Sequence, residues 1–342
     1  MHPADKAVLR LAIGLGLATL LAYGLALRLG YVACVLAVVV LCKPGPPLTP
    51  AKGIVSGLVV AVLLLAGRLM VPLLEHYAFT GLLLTGALLY CVFFSGARSA
   101  SALTTIFAIA LTIIPAAAVA EQRLATALAL AIGAGLGVAA LVASFSHALF
   151  PDPPRAAVVG VAKAPAPTSA EAAHWRALQS VVVILPVFVL ALTNPATYLS
   201  AIMKTVMLSQ QANATTARTA GHELLGSTAM GAVMAAAAWA GLSLWPTLWM
   251  LVLWLVAAAF WAGRRLFRLR PTSEPPSFWV NAVVTMLILL GPAIEDAAVG
   301  KDVYAASAFR LSLFFCVTLY AWAMVWLFER WRDARSRAAL TS

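Results

Sequence analysis

Charged residues are scarce in this sequence, and acidic residues are the scarcest of them. Only 10% of the 342 residues are Asp, Glu, Lys or Arg, and only 12 residues are acidic. Apolar residues make up 63% of the chain, and its mean hydropathy is +0.96. Too little polar surface remains to cover a soluble globule, so the composition predicts an integral membrane protein.

The sequence also lacks the motifs of redox, metal and nucleotide sites. Its four cysteines are isolated, with no CxxC pair and no histidine nearby, so we interpret them as core residues. No GxxxxGK[ST] phosphate loop occurs, which argues against the use of ATP. No carboxylate pair, histidine cluster or nucleophile motif lies within the apolar segments. We therefore expect a protein that is not an enzyme and that needs no cofactor and no metal.

Long apolar runs are what the sequence has in abundance. Twelve of them can be read along the chain, each of about 20 residues except where a helix is broken or tilted. They predict an all-α integral membrane protein with about twelve transmembrane helices. The predicted segments are Val8–Leu27, Tyr31–Leu41, Gly53–Leu73, Tyr77–Ser95, Ser99–Ala118, Gln122–Leu149, Leu178–Leu192, Thr197–Leu208, Leu224–Leu244, Pro246–Ala262, Phe278–Leu290 and Ala305–Leu327.

The basic residues indicate the orientation of these segments. If the N terminus is cytoplasmic, most of the 23 lysines and arginines lie in inner loops and tails, and few lie outside. This asymmetry agrees with the positive-inside rule and predicts that both termini are cytoplasmic. The first apolar run is followed by no small-residue cleavage site, so we interpret it as a retained anchor.

The segments divide into two halves with matching landmarks in the same order. Residues 1–150 form the first six-helix half, 151–173 a cytoplasmic linker rich in Pro, Ala and Ser, and 174–342 the second half with a basic tail. The second segments, which align Tyr31 with Tyr198, are too short to cross a hydrocarbon core of about 30 Å. We expect them to be short or broken helices. The fifth segments end near a proline, and the sixth begin with Arg-Leu.

These landmarks resemble the fusaric acid resistance and aromatic acid exporter family of bacterial inner-membrane proteins. The shared features are a basic residue that opens helix 1, a short helix 2 before a polar break, a small-residue start to helix 3 as in ELLGSTAMGA, and Arg-Leu opening a helix 6 that ends near LFP. The large cytoplasmic domain of longer members is absent, and Glu223 and Ser227 stand where the family has Arg and Thr. The resemblance implies efflux of aromatic carboxylic acids or similar small organic anions, often with a periplasmic adaptor (membrane fusion) protein.

Charges inside a low-dielectric membrane are costly and are therefore the first candidates for substrate binding. Arg123 and Arg310 open the sixth segments, where two guanidinium groups could bind one carboxylate, unless both extend to lipid headgroups. Lys204 could bind a substrate carboxylate or lose its proton during transport, or it could lie close to cytoplasmic water. Asn281 is a candidate for the polar lining of a cavity or for a contact between helices.

The stretch SQQANATTARTAGHELLG is the most polar sequence between two apolar segments. Gln210, Gln211 and Asn213 are candidate hydrogen-bond partners of a substrate. His222 and Glu223 form a titratable pair that would suit proton coupling. An ordinary cytoplasmic loop is the alternative interpretation of this stretch.

Glu295 and Asp296 follow the eleventh apolar segment and are candidates for proton uptake, with a solvated loop as the alternative. The candidate residues, taken with what the resemblance implies, predict a proton-driven inner-membrane exporter of small organic anions with its site between the two halves. Two other hypotheses remain open: a passive anion channel, since plant malate channels resemble single halves, and a scaffold that only anchors an adaptor protein. The expected partners are the substrate, the adaptor and the lipid bilayer, with no nucleic acid. A homo-oligomer is left open.

Overall fold

The computed structural model describes residues 2–43, 49–99, 103–151, 169–212 and 217–341, and these residues form helices and no strand. Within them ten helical segments are long and apolar enough to cross a membrane, and α2 is a shorter apolar helix. The chain is therefore an all-α, multi-pass membrane protein. The α-helices are α1 Pro3–Gly24, α2 Gly30–Leu41, α3 Pro50–Ala66, α4 Val71–His76, α5 Ala78–Ser99, α6 Leu103–Ala120, α7 Gln122–Leu149, α8 Ala170–Thr193, α9 Pro195–Ala212, α10 Ala217–Leu244, α11 Leu248–Leu266, α12 Pro276–Ala298 and α13 Val303–Thr341.

The helix boundaries differ from the predicted segments mainly where polar residues continue a helix. α2 is short as predicted, about 18 Å at 1.5 Å per residue. α9 extends beyond the predicted Leu208 to Ala212, because its Ser-Gln-Gln end is still helical, and it is not among the ten apolar spans. α8 begins at Ala170, inside the predicted linker. α12 and α13 also continue well past their apolar cores.

The third predicted segment is not one regular helix. α3 is followed by a 3-10 turn, Gly67–Met70, and then by α4, in which Pro72 is the second residue. Because Pro72 has no amide hydrogen, regular α-helical hydrogen bonding cannot continue through it. Gly67 packs directly on the backbone carbonyl of Ala110 in α6, where a side chain would have no room.

The chain forms two compact units. The first comprises Met1–Val62, Ala127–Val161 and Gly226–Leu311. Inside it α1 packs against α2 and α11, and α12 packs against α2 and α11. The first two helices of the N-terminal half are thus held by the fourth and fifth helices of the C-terminal half.

The second unit comprises Leu63–Thr126, Ala162–Leu225 and Ser312–Ser342. Inside it α8 packs against α9 and α5, and α6 packs against α9 and α5. The scheme is the same as in the first unit with the two halves exchanged, which is the pattern expected of two similar six-helix halves. Each half contributes helices to both units, so the predicted boundaries 1–150, 151–173 and 174–342 do not coincide with the compact units. The division of the chain into two repeated halves stays a prediction.

Small residues let α3 and α7 approach closely within the first unit. A Cβ at Gly133 would lie 2.7 Å from the Cβ of Ala61 and 2.7 Å from the carbonyl oxygen of Gly57, and a Cβ at Gly57 would collide with the carbonyl of Gly133. At Gly137, one turn further along α7, the Cβ position is open. The two helices therefore pack backbone to backbone at Gly57 and Gly133, whereas a methyl group at Gly137 would point into open space.

We expect Gly133→Ala to destabilise the protein by about 2 kcal/mol, because the added methyl group forces α3 and α7 apart. Gly137→Ala is the matched control, and it should be neutral or stabilise by up to about 1 kcal/mol, since alanine has the higher helix propensity. Thermal unfolding of the detergent-solubilised protein, followed by tryptophan fluorescence, compares the two variants. Equal effects at both positions would contradict the close backbone contact.

Candidate functional site

Glu295 and Asp296 lie inside the last turns of α12, so the solvated-loop interpretation of these residues is wrong. Asp296 is buried and Glu295 is partly buried. The helix extends this far because Gly300 closes it with a positive φ of 74°. The amide of Lys301 then donates to the carbonyl of Asp296 at 3.0 Å, and the amide of Gly300 donates to Ala297 at 3.1 Å. This is the glycine-dependent C-terminal cap that many helices use.

Asp296 forms an ion pair with Arg310 of α13 inside the first unit. The Nη2 atom of Arg310 donates to Oδ2 of Asp296, and the two side chains are 18% and 12% exposed. Nζ of Lys301 lies 3.9 Å from Oδ1 of the same carboxylate but is largely exposed. The Nη1 atom of Arg310 is buried and has no hydrogen-bond partner among the described residues. The guanidinium group is therefore only partly satisfied, which is costly for a buried donor.

The sequence predicted that Arg310 opens the last helix. In the structure Arg310 lies two turns inside α13. α13 begins earlier, at Val303, because the side chain of Asp302 accepts hydrogen bonds from the amides of Tyr304 and Ala305. Asp302 thus caps the helix at its N terminus. Arg310 therefore lies two turns from the N terminus of α13, where its side chain contacts Asp296.

Tyr31, at the start of α2, packs against α12 at Gly291, where a Cβ would collide with the Tyr31 side chain. This close approach brings Tyr31 within electrostatic range of Glu295 and Arg310. Tyr31 had served only as a landmark of the repeat and was not predicted as a site residue. We refer to four residues near this end of α12 as the acid–arginine cluster: Tyr31, Glu295, Asp296 and Arg310.

A cavity of about 570 Å³ lies beside the same end of α12. Its walls come from α1, α10, α11 and α12 and are mostly apolar, with Tyr23, Trp239 and Thr247 among the lining residues. Tyr23 is within electrostatic range of Glu295. The volume and the apolar, aromatic wall suit a small organic molecule. The cavity was not predicted, because its walls come from four helices that are distant in sequence.

Lys204 is fully buried, at 0% exposure, in α9 of the second unit. α9 packs against α6 and α8, and its residues Ile202, Thr205 and Val206 are buried around the lysine. Lys204 is therefore not exposed to solvent, and its distance from the cytoplasmic side of the membrane stays a prediction. A buried ammonium group is expensive to maintain, which keeps Lys204 a candidate for function.

Arg123 is exposed at the start of α7, in contrast to Arg310. Another arginine, Arg68 of the 3-10 turn, forms hydrogen bonds with this end of α7. Its guanidinium group donates to the side chain of Gln122 at 3.0 Å and to the hydroxyl of Thr126 at 3.3 Å. Arg123 and Arg310 therefore have different environments, although they align in the repeat. Arg68 was not predicted as a site residue, although a charge within the third apolar segment was the signal for it.

Asn281 is buried in α12, and its amide donates a hydrogen bond to the hydroxyl of Ser227 in α10. Of the two predicted interpretations of this residue, the contact between helices is the one observed. Glu223 is buried in α10, whereas its neighbour His222 is exposed. Adjacent positions on a helix point about 100° apart, which accounts for the difference.

The remaining candidates lie at the end of α9 and just beyond it. Gln210 and Gln211 belong to the last turn of α9, and their side chains lie outside the described residues. Asn213 also lies outside the described residues. The hypothesis that these three residues contact a substrate stays a prediction.

A family model described as a protein of unknown function, DUF2955, matches residues 7–146 of the chain. The match runs from α1 into α7, so it includes Tyr31 and Arg123 but not Lys204, Asp296 or Arg310. No curated protein and no solved structure matches the chain. The first half of the chain is thus similar to this family, and the comparisons assign no substrate and no mechanism to the site.

Proposed function

We propose that this membrane protein transports small organic anions, aromatic carboxylic acids among them, in a process linked to protons. The observation that supports the proposal is the ion pair of Asp296 and Arg310, in which one buried nitrogen of the guanidinium group remains without a hydrogen-bond partner among the described residues. A guanidinium group binds carboxylates through paired hydrogen bonds. The adjacent apolar cavity offers space for an aromatic ring.

The ion pair gives a physical reason for a link to protons. Asp296 and a substrate carboxylate would compete for Arg310, and a proton on Asp296 would leave the guanidinium group free for the substrate. Loss of that proton would restore the ion pair and expel the anion. Glu295 lies within electrostatic range of Arg310 and would take part in the same equilibrium.

The resemblance to aromatic acid exporters favours efflux from the bacterial cytoplasm in exchange for protons. The ion pair alone couples proton uptake by Asp296 to anion binding by Arg310. This coupling would move the proton and the anion across the membrane in the same direction. The vesicle experiment distinguishes the two directions of coupling. A passive channel is the second candidate, because a negative membrane potential already drives an anion outward by about 2.3 kcal/mol per 100 mV.

The test is uptake of labelled 4-hydroxybenzoate by inside-out membrane vesicles, with a pH gradient of either sign or with none. Accumulation with an acidic interior would support exchange of the anion for protons, which the resemblance implies. Accumulation with an acidic exterior would show movement of anion and proton together. Equilibration of 4-hydroxybenzoate across the membrane that does not depend on the pH gradient would indicate a channel. Absence of flux over a panel of organic acids would contradict transport and favour the adaptor scaffold.

A further inference from the structure

A loop rich in arginine joins α11 to α12 in the first unit. The loop carries Arg268 and Arg270, and it follows directly on Arg264 and Arg265 in the last turn of α11. The only acid between these arginines and α12 is Glu274. Arg264 and Arg270 lie close enough to Arg265 to repel it. The loop is nevertheless held tightly, since the amide of Arg270 donates to the carbonyl of Arg264 at 2.9 Å and Arg268 has a φ of 57°. The fold thus concentrates like charges at a cost in Coulomb energy.

Two tryptophans fix the position of Arg265. Its guanidinium carbon lies 3.9 Å from the ring centre of Trp261 and 5.2 Å from that of Trp279. The two indoles meet edge to face at 5.5 Å between ring centres. Such cation–π contacts hold a cation in place, and tryptophans of membrane proteins concentrate at the level of the lipid headgroups. We therefore expect the arginine-rich loop at headgroup depth.

The start of α12 adds to the positive potential of the loop. α12 begins at Pro276, directly after the loop, and the residue before it, Pro275, has no side-chain group that could cap the helix. The first amides of a helix are donors that point outward, and they carry the positive end of the helix dipole. An anion at this end would meet the arginines and the helix terminus together.

An exposed apolar strip of α11 runs away from the loop. Leu253, Phe260 and Trp261 lie along this helix and are 62%, 41% and 40% exposed. A phosphate in solution would make no use of such a strip, whereas acyl chains would cover it. The ligand that fits both the basic loop and the strip has an anionic phosphate head and apolar tails.

We propose that the loop between α11 and α12 is a binding site for an anionic phospholipid, with the arginines on its phosphate and the acyl chains along α11. Arginine suits this role because its planar fork gives paired hydrogen bonds to phosphate oxygens. The site is separate from the acid–arginine cluster, and its test does not depend on transport.

The test is a titration of the full-length protein, in a neutral detergent, with phosphatidylglycerol or phosphatidylcholine, followed by native mass spectrometry. We expect phosphatidylglycerol to bind with clear preference. The variant Arg268→Gln/Arg270→Gln should bind it about 25-fold more weakly, at about 1 kcal/mol for each arginine near the membrane surface. Both residues are exposed, so this variant should fold. Arg265→Gln should bind the lipid about fivefold more weakly.

The matched control is Arg330→Gln, which removes an arginine that also stacks on an indole, that of Trp326, at 5.0 Å. This control should bind phosphatidylglycerol as the wild type does. Glycerol phosphate is the soluble competitor. It should not displace phosphatidylglycerol from the protein at concentrations at which phosphatidylglycerol saturates its site. Equal binding of the two lipids, an unchanged affinity of the double variant, or full competition by glycerol phosphate would each overturn the proposal.

Discussion

Arg310→Gln is expected to lower the free energy of unfolding by about 3 kcal/mol, because it leaves the buried carboxylate of Asp296 without its main partner. The same change should reduce gradient-driven uptake of 4-hydroxybenzoate at least tenfold, since the proposed carboxylate-binding group is lost. Unfolding is measured on the purified protein in detergent, and uptake is measured in vesicles that contain equal amounts of protein.

A second variant separates the structural effect from the functional one. In Asp296→Asn/Arg310→Gln neither side chain is charged, so stability should return to within about 1 kcal/mol of the wild type, because replacing both partners of a buried ion pair is often nearly neutral. Uptake should remain low in this variant. Recovery of uptake together with stability would show that the ion pair only holds α12 and α13 together.

Arg123→Gln is the control at the aligned position of the other half. Arg123 is exposed, so its replacement should change stability by no more than about 0.5 kcal/mol. A loss of uptake as large as that of Arg310→Gln would favour the symmetric, two-arginine site predicted from the sequence. An unchanged rate would assign carboxylate binding to Arg310 alone.

Lys204→Met is expected to reduce uptake of 4-hydroxybenzoate at least tenfold, because a charge buried within the membrane is costly and is retained for substrate or proton binding. Uptake is measured in vesicles that contain equal amounts of protein, and unfolding in detergent shows whether the variant is folded.

Thr205→Val is the matched control for Lys204. Thr205 is the next residue of α9 and is also buried, but its hydroxyl group donates to the carbonyl of Ala201 within the same helix at 2.7 Å. Its replacement should change uptake less than twofold. Normal uptake by Lys204→Met, or an equal loss in both variants, would exclude a specific role for the lysine.

The sequence predicted helix positions well where apolar residues alone define a helix. α7 begins and ends where its apolar run does, at Gln122 and Leu149. The ends of α12 and α13 were not predicted, because single polar residues determine them. Gly300 closes α12 beyond its apolar run, and Asp302 starts α13 before the next one.

The candidate site was predictable as a set of residues but not as an arrangement. Asp296 and Arg310 were both candidates, yet their ion pair depends on how α12 and α13 meet. The sequence treated Arg123 and Arg310 as equivalent, although the position that aligns with Asp296 after the shared proline is Val119. The first half therefore has no acidic residue at the position of Asp296. This difference in the sequence indicated that Arg123 and Arg310 are not equivalent.

The exchange of helices between the two halves also bears on how the protein is made. α1 and α2 leave the ribosome early, whereas α11, the partner of α1, begins about 220 residues after the end of α1. At a synthesis rate of 5–20 residues per second, this interval is about 10–45 s. During that time the first helices must remain in the bilayer with the surfaces that later contact α11 and α12 still uncovered. A chaperone or insertase that shields small-residue and polar helix faces in the membrane would therefore be needed most before the C-terminal half emerges.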